Sequence, residues 1–498
     1  MNTRYCLLLL LLLCMMPSCT ERPADVCRVD IAPCIYPDYC GVTVPAGIAP
    51  LDFCLMDAQQ PQRPATIDAC YAVVRGQHGD SLAAGGVSTV AFDVEQWHRL
   101  TEANTGQTLT VETYAKVQGR WLRYRDFEIY VSAYPLEEYG LTYRKFAPGY
   151  ILSTDIGIYQ RDLHTFAEEA IVRNTEIHGH CIGCHTSSRS DARSFSLHVR
   201  GKSPATILRR KGQDLWLETK TDSTLSKCVY PSWHPDGRHI AYSLNLVHQF
   251  FWTAGQHNME VFDVGSDLIV VDTEHLNILR SPLTEHTEEW METFPAFSGD
   301  GSQLYFSRSP RREIPEELDS LRYSLCSIDF DAASETWGDT VRTLIDGDAE
   351  QISVTFPRPS YDGRWLIYTQ AGTGYFTIHH AESDLWMLSL ATGERRPLDE
   401  VNSCRAESFC NWNATSHWLV FASRRDDGQY TRLYLTSIDD EGRATKPVLL
   451  PQRDPWRYYH ESLMSYNTPD FIDQPVELDV HAAFGHVEDG KRVALTVK

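Results

Sequence analysis

The chain has 498 residues, 42% of them hydrophobic and 22% charged, with a formal charge of −22. That is a globular composition, long enough for two or three domains or for one large β architecture. The acidic excess argues against nucleic acid and anionic membrane surfaces as partners, since binding either needs Lys/Arg-rich faces.

Residues 1–18 read as an export signal. Arg4 supplies the positive start, and Leu7 to Leu13 form an unbroken leucine run. The run is too short to span a bilayer, which takes about 20 apolar residues. Pro17-Ser18-Cys19 follows, the pattern of a bacterial lipoprotein in which Cys19 becomes the acylated N-terminus. Ordinary secretion with a cut near Ser18 is the competing reading. Either places the mature chain in the cell envelope, on the periplasmic side or outer surface of a Gram-negative bacterium.

Residues 19–160 are expected to form a small antiparallel β domain of sandwich type. Thr108–Val117 and Arg120–Ser132 are its best strand-like runs. Cys27, Cys34, Cys40, Cys54 and Cys70 crowd this region, and Cys404 and Cys410 form a local pair further on. In an oxidising compartment such cysteines read as disulfides, though spacing fixes no pairing.

Residues 161–204 are expected to form a helix followed by a cofactor segment. Leu163, Phe166, Ala170 and Ile171 fall at helical spacing. Just beyond lies Cys181-Ile-Gly-Cys184-His185. Cys-x-x-Cys-His is the attachment signature of c-type haem. Two thiols add across the two vinyl groups of one haem, and the following His supplies an axial nitrogen to the iron. The expected site is therefore one haem c held by Cys181 and Cys184, with His185 as the proximal ligand. His198, in Phe195-SLHVRG, is the favoured second ligand over His178, His180, His234, His248 and Met259, while Met291 reads as core. A disulfide or redox pair is one alternative, although no βαβ pattern surrounds it. A cramped Cys₂His₂ zinc site using His178 and His180 is the other.

Residues 205–470 carry a repeat. Tyr230–Ser243 (YPSWHPDGRHIAYS), Phe294–Ser307 (FPAFSGDGSQLYFS), Phe356–Thr369 (FPRPSYDGRWLIYT) and Phe409–Ala422 (FCNWNATSHWLVFA) align at periods of 64, 62 and 53 residues. An aromatic residue, usually followed by Pro, leads to an Asp-Gly turn and an apolar strand. Asp-Gly between apolar runs signals a hairpin, because Gly accepts the positive φ of the turn. The fourth copy has Thr415-Ser416 instead. A second strand pair follows each template, so each repeat is a four-stranded propeller blade. Thr206–Thr219 (TILRRKGQDLWLET) reads as the outer strands of an earlier blade, so five to seven blades are expected, with the strands of residues 471–498 closing the ring.

The template resembles the WD40-like (PD40) repeats of the TolB propeller family, with Pro231, Trp233, Pro235, Asp236 and Gly237 the best fit. More broadly, the chain resembles a family of Bacteroidetes TolB-like lipoproteins often labelled "cytochrome c biosynthesis" proteins. The shared blocks are Ile48-APLDF, Tyr143-RKFAPGY, Gly157-IYQRDL, the haem motif with His198-VRG, Tyr230-PSWHP and Tyr466-NTPDF. The resemblance implies a mainly β fold and does not fix an activity. The reading that follows is electron transfer by one bound haem with an unidentified redox or envelope partner. The alternatives are a propeller scaffold for protein contacts and a haem enzyme with an open axial site. A prolyl-oligopeptidase-type hydrolase is set aside, because no Gly-x-Ser-x-Gly motif occurs.

Overall fold

The structure, a computed structural model, describes residues 22–147, 155–177, 179–201, 204–251, 259–285, 288–479, 485 and 492–498. Cys19 and His178 lie outside these. No helix among the described residues is long and apolar enough to cross a membrane.

Six antiparallel sheets make a β-propeller. The second blade runs Cys181–Ser188, Asp191–Arg200, Ala205–Arg210 and Gln213–Glu218 from the axis outward. Blades three to six begin at Cys228–Trp233, Trp290–Phe297, Ser353–Pro359 and Glu407–Trp412. The first blade is composite. Ser465–Ile472 is its inner strand and pairs with Gly140–Phe146, followed outward by Ile156–Asp162 and Glu168–Arg173. Each inner strand packs against the next, from the first blade round to the sixth and back. Pairing a C-terminal strand with the start of the propeller therefore closes the ring, and no inner edge is left open.

Several expectations need correction. The propeller starts at Gly140, not at residue 205, and closes through Ser465–Ile472 rather than through residues 471–498. Val493–Ala494 and Thr496–Val497 instead pair in parallel with the outer strands of blades two and three. The helix expected after Asp162 is a turn and a strand. The Asp162 carboxylate accepts from the His164 amide and the Thr165 hydroxyl, both at 2.8 Å, which fixes the turn. Glu168–Arg173 then returns along Ile156–Asp162, burying the β-branched Ile171 and Val172. The supposed helical haem segment is the inner hairpin of blade two.

The turn chemistry follows the repeat. Gly237, Gly301 and Gly363 have φ of 65°, 79° and 75°. In the fourth copy Ser416 takes the same place at φ 64°.

Residues 22–139 form a seven-stranded sheet and a smaller four-stranded one, with a helix the sequence reading did not include, Val94–Ala103. Asp93 caps that helix, accepting from the Gln96 amide at 2.9 Å. Trp97, Leu100 and Thr101 are its buried face. This region docks on blade six, where Glu138 accepts from the Ala414 amide and Trp418 donates to the Tyr134 carbonyl.

The expected disulfides are not formed: all eleven described cysteines are free thiols. Cys410 is buried in the inner strand of blade six, whereas Cys404 is exposed in a loop. Cys54 and Cys70 contact the Thr89 hydroxyl and the Gly86 carbonyl instead.

Candidate functional site

The geometry begins with a bulge that every blade repeats. In each inner strand the pairing slips after Gly183, Val229, Thr293, Thr355 or Ser408, and opposite Thr142 and Arg144 for the first blade; blade two slips again between Ser187 and Ser188. The first residue of the shared bulge in blades two to six is Cys184, Tyr230, Phe294, Phe356 or Phe409, with φ of 53°, 49°, 52°, 51° and 51°; in the first blade it is Thr468, at 48°. Left-handed backbone is costly for such residues. Tyr230, Phe294, Phe356 and Phe409 offset it by packing together around the axis. Successive centroids are 4.7, 4.0 and 4.8 Å apart, and Tyr375 stacks on Phe294 at 4.8 Å.

Cys184-His185 thus occupies the place of Tyr230-Pro231, Phe294-Pro295 and Phe356-Pro357. The aromatic ring opens at blades one and two, where Thr468 and Cys184 stand. Both motif thiols are half-buried, and each meets an arginine. Arg144 Nη2 lies 3.8 Å from Cys181 Sγ, and Arg200 Nη2 lies 3.8 Å from Cys184 Sγ. Arg144 also donates from Nε to the Ile182 carbonyl at 3.0 Å, so its position is fixed.

His185 is 5% exposed, with its ring 6.0 Å from Phe195. Burial pushes its pKa down to about 4, so the ring is neutral. Neither ring nitrogen makes a hydrogen bond of good geometry, although the Thr142 backbone lies near enough to favour the ring's proton. A poorly satisfied buried polar atom costs about 1–3 kcal/mol.

His198 does not share that position. Phe195, Leu197 and Val199 pack with Ile158, Ile171, Val172 and Ile472 of the first blade. Ser196 and His198 point to the opposite face, where the Ser196 hydroxyl meets the Tyr242 hydroxyl of blade three at 2.9 Å. His198 Nδ1 contacts Thr206 Oγ1 at 3.2 Å, and burial pushes its pKa to about 3. His185 contacts Phe195, so the two imidazoles lie on opposite faces of one sheet and cannot clamp one iron. The expectation of His198 as second ligand is corrected on this ground: cross-strand alternation puts it on the wrong side.

The other histidine candidates have structural partners. The His180 ring lies where a side chain on Gly201 would stand. His234 and His239 both bond Asp236, with His239 Nδ1 at 2.6 Å, and Arg238 bridges the nearby Asp272 and Glu335. His248 stacks on Phe262, Met259 is half-buried, and Met291 is core as expected.

No family model and no curated protein matches the chain. Among solved structures it is similar to TolB from Acinetobacter baumannii, at 12% identity and TM-score 0.44, over 77% of this chain and 86% of that one. It is also similar to a putative TolB from Agrobacterium tumefaciens, at 13% identity and TM-score 0.38, over 67% and 98% of the two chains. Oligogalacturonate lyase from Vibrio parahaemolyticus gives 11% identity and TM-score 0.35, over 60% and 71%. These likenesses assign no activity or residue role, and the propeller stands on its own six sheets and their closed ring.

Proposed function

We propose that this chain is an exported envelope protein that carries one haem c on the inner strand of blade two and passes electrons to an envelope partner. The observation behind this is the replacement of the aromatic-Pro pair by Cys184-His185, three residues after Cys181, with a neutral, buried imidazole that makes no well-formed hydrogen bond. The donor types, two thiols and an imidazole, are those that hold the group. Cys181 and Cys184 are free thiols that would hold the porphyrin edge. His185 would offer an unprotonated nitrogen, which burial keeps unprotonated far below neutral pH. Bound there, haem would supply a one-electron couple. Arg144 and Arg200 place two positive charges beside the thiols. Lipid anchoring through Cys19 would keep the protein at a membrane surface.

The position of His198 favours a second reading over a closed two-histidine site, in which the sixth iron position is open to a small ligand. A propeller that only binds partners, with a bare dithiol in blade two, is the remaining alternative.

The test is an absorbance spectrum of protein made in a host that attaches c-type haem, beside Cys181→Ala/Cys184→Ala. A reduced α band that survives denaturation and is missing from the double variant is expected. A colourless wild-type protein would sink the haem reading and leave the binding propeller. A spectral change with carbon monoxide would select the open site.

A further inference from the structure

The same repeat register places a second set of residues on the axis. Two positions beyond each bulge residue stand Thr186, Ser232, Ala296, Arg358, Asn411 and Asp470, one per blade. The first five line a cavity of about 60 Å³ at the turn end of the channel, and Arg189 sits at its rim. Asp470 is already saturated. It accepts from the Ser187 amide at 2.6 Å, the Ser187 hydroxyl at 2.9 Å, Thr186 Oγ1 at 3.0 Å and Asn411 Nδ2 at 2.5 Å.

Arg358 is left over. It donates from Nη1 to the Pro357 carbonyl at 2.9 Å and has no carboxylate partner among the described residues. Asp470 acts on it only at a distance, and burial weakens its hold on its proton. Arg358 is half-buried, and a guanidinium partly withdrawn from water gains from a counter-ion. Arg189 likewise has a ring, not a carboxylate, beneath it: its guanidinium lies 5.0 Å from the Tyr361 centroid. Ser232 Oγ accepts from the Phe297 amide at 3.1 Å, which leaves its hydroxyl hydrogen to donate into the cavity. Two unpaired guanidinium groups and a hydroxyl donor converge here, in a protein whose overall charge is −22.

We propose that this end of the channel binds a carboxylate group. Arg358 is the anchor, because its planar fork matches a carboxylate in two hydrogen bonds. Arg189 draws the anion in at the rim, and Ser232 fixes its second oxygen. The group can belong to a small free acid or to the C-terminus of a partner chain, since both present the same two oxygens. This site stands apart from the haem reading, as none of its residues is a proposed haem ligand.

The experiment is calorimetric titration of the mature chain with acetate, and with an acetylated Gly-Gly-Ala peptide bearing either a free or an amidated C-terminus. Saturable binding of acetate or of the acid peptide is expected, with the amide at least about tenfold weaker than its acid. Acetate binding alone identifies a small-acid site. Tighter binding of the acid peptide identifies a chain terminus. Arg358→Gln should weaken binding at least about tenfold and Arg189→Gln less. Ala296→Asp puts a carboxylate into the same ring, so it should raise the melting temperature and abolish binding. That variant decides the matter if Arg358→Gln does not fold. Wild-type protein that takes up neither acetate nor the acid peptide overturns the proposal. So does Arg358→Gln binding as wild type does, or Ala296→Asp binding unchanged.

Discussion

Blades two and four share a backbone and differ in what they place on it. Both inner strands bulge at a non-glycine residue, Cys184 at φ 53° and Phe294 at φ 52°. Phe294 is buried, touches Tyr230, Phe356 and Tyr375, and is followed by Pro295. Cys184 is half-buried and is followed by a histidine with no well-formed hydrogen bond. The left-handed conformation costs about 1–2 kcal/mol at such a residue, and only blade four recovers that through aromatic packing. A repeat that keeps the costly geometry while giving up the packing is the pattern of a site held for chemistry.

The largest effect should come from breaking the aromatic side of this comparison. Phe356→Ala is expected to lower stability by about 3–5 kcal/mol in denaturant titration. Cys184→Ala, at the same backbone position, should lower it by less than about 1 kcal/mol. Equal losses would mean that blade two depends on its bulge residue as the others do.

Proton linkage should separate the regions next. The folded pKa of His185, about 4, lies below the unfolded value near 6.5. Its contribution is therefore present above pH 6.5 and lost as pH falls through 4. His380 behaves in the opposite sense. Burial alone favours its neutral ring, but hydrogen bonds to Glu260 and Glu382 outweigh that and raise its pKa to about 9. That contribution is full below pH 6.5 and lost as pH rises through 9. Each window is worth up to about 3 kcal/mol. Melting curves across pH should lose their acid slope in His185→Phe and their alkaline slope in His380→Gln.

At neutral pH and without haem, His185→Phe should also stabilise the protein by about 1 kcal/mol, because it removes buried nitrogens that lack well-formed hydrogen bonds. A loss of stability would show that the contact with the Thr142 backbone outweighs that cost. The smallest effect belongs to a turn. Ser416→Gly relieves left-handed strain but removes the hydroxyl that accepts from the Asp362 amide at 3.2 Å, so the two effects should nearly cancel and Tm should hardly move.

The limits of the sequence reading have the same physical origin. Four blades were legible because Tyr230, Phe294, Phe356 and Phe409 stand before Asp-Gly or equivalent turns. Blade two is legible only in its outer strands, Ala205–Arg210 and Gln213–Glu218, because in the inner strand Cys184-His185 replaces both members of the aromatic-Pro signature and lies 46 residues before Tyr230. The same pentapeptide drew attention as a cofactor motif and hid its place in the repeat. The first blade was split between distant segments, and only Thr468-Pro469-Asp470-Phe471 retains a trace of the template. The turn after Asp162 was mistaken for a helix because its apolar residues fall at helical spacing. The Asp162 side-chain bonds that end the preceding strand have no such periodicity. Cys181, Cys184 and His185 read as candidate haem ligands from one short motif, and the structure has them on one strand. His198 was chosen by distance along the chain, which carries no information about the face of a sheet.

The most direct test of the central claim restores the template in blade two. Cys184→Phe with His185→Pro should be made in the haem-attaching host and melted while backbone circular dichroism and visible absorbance are followed together. The account predicts a folded propeller at least as stable as haem-free wild type, with the haem band lost. A folded variant that keeps a covalent haem band, or one that fails to fold although blades three to five carry the same residues, would contradict it.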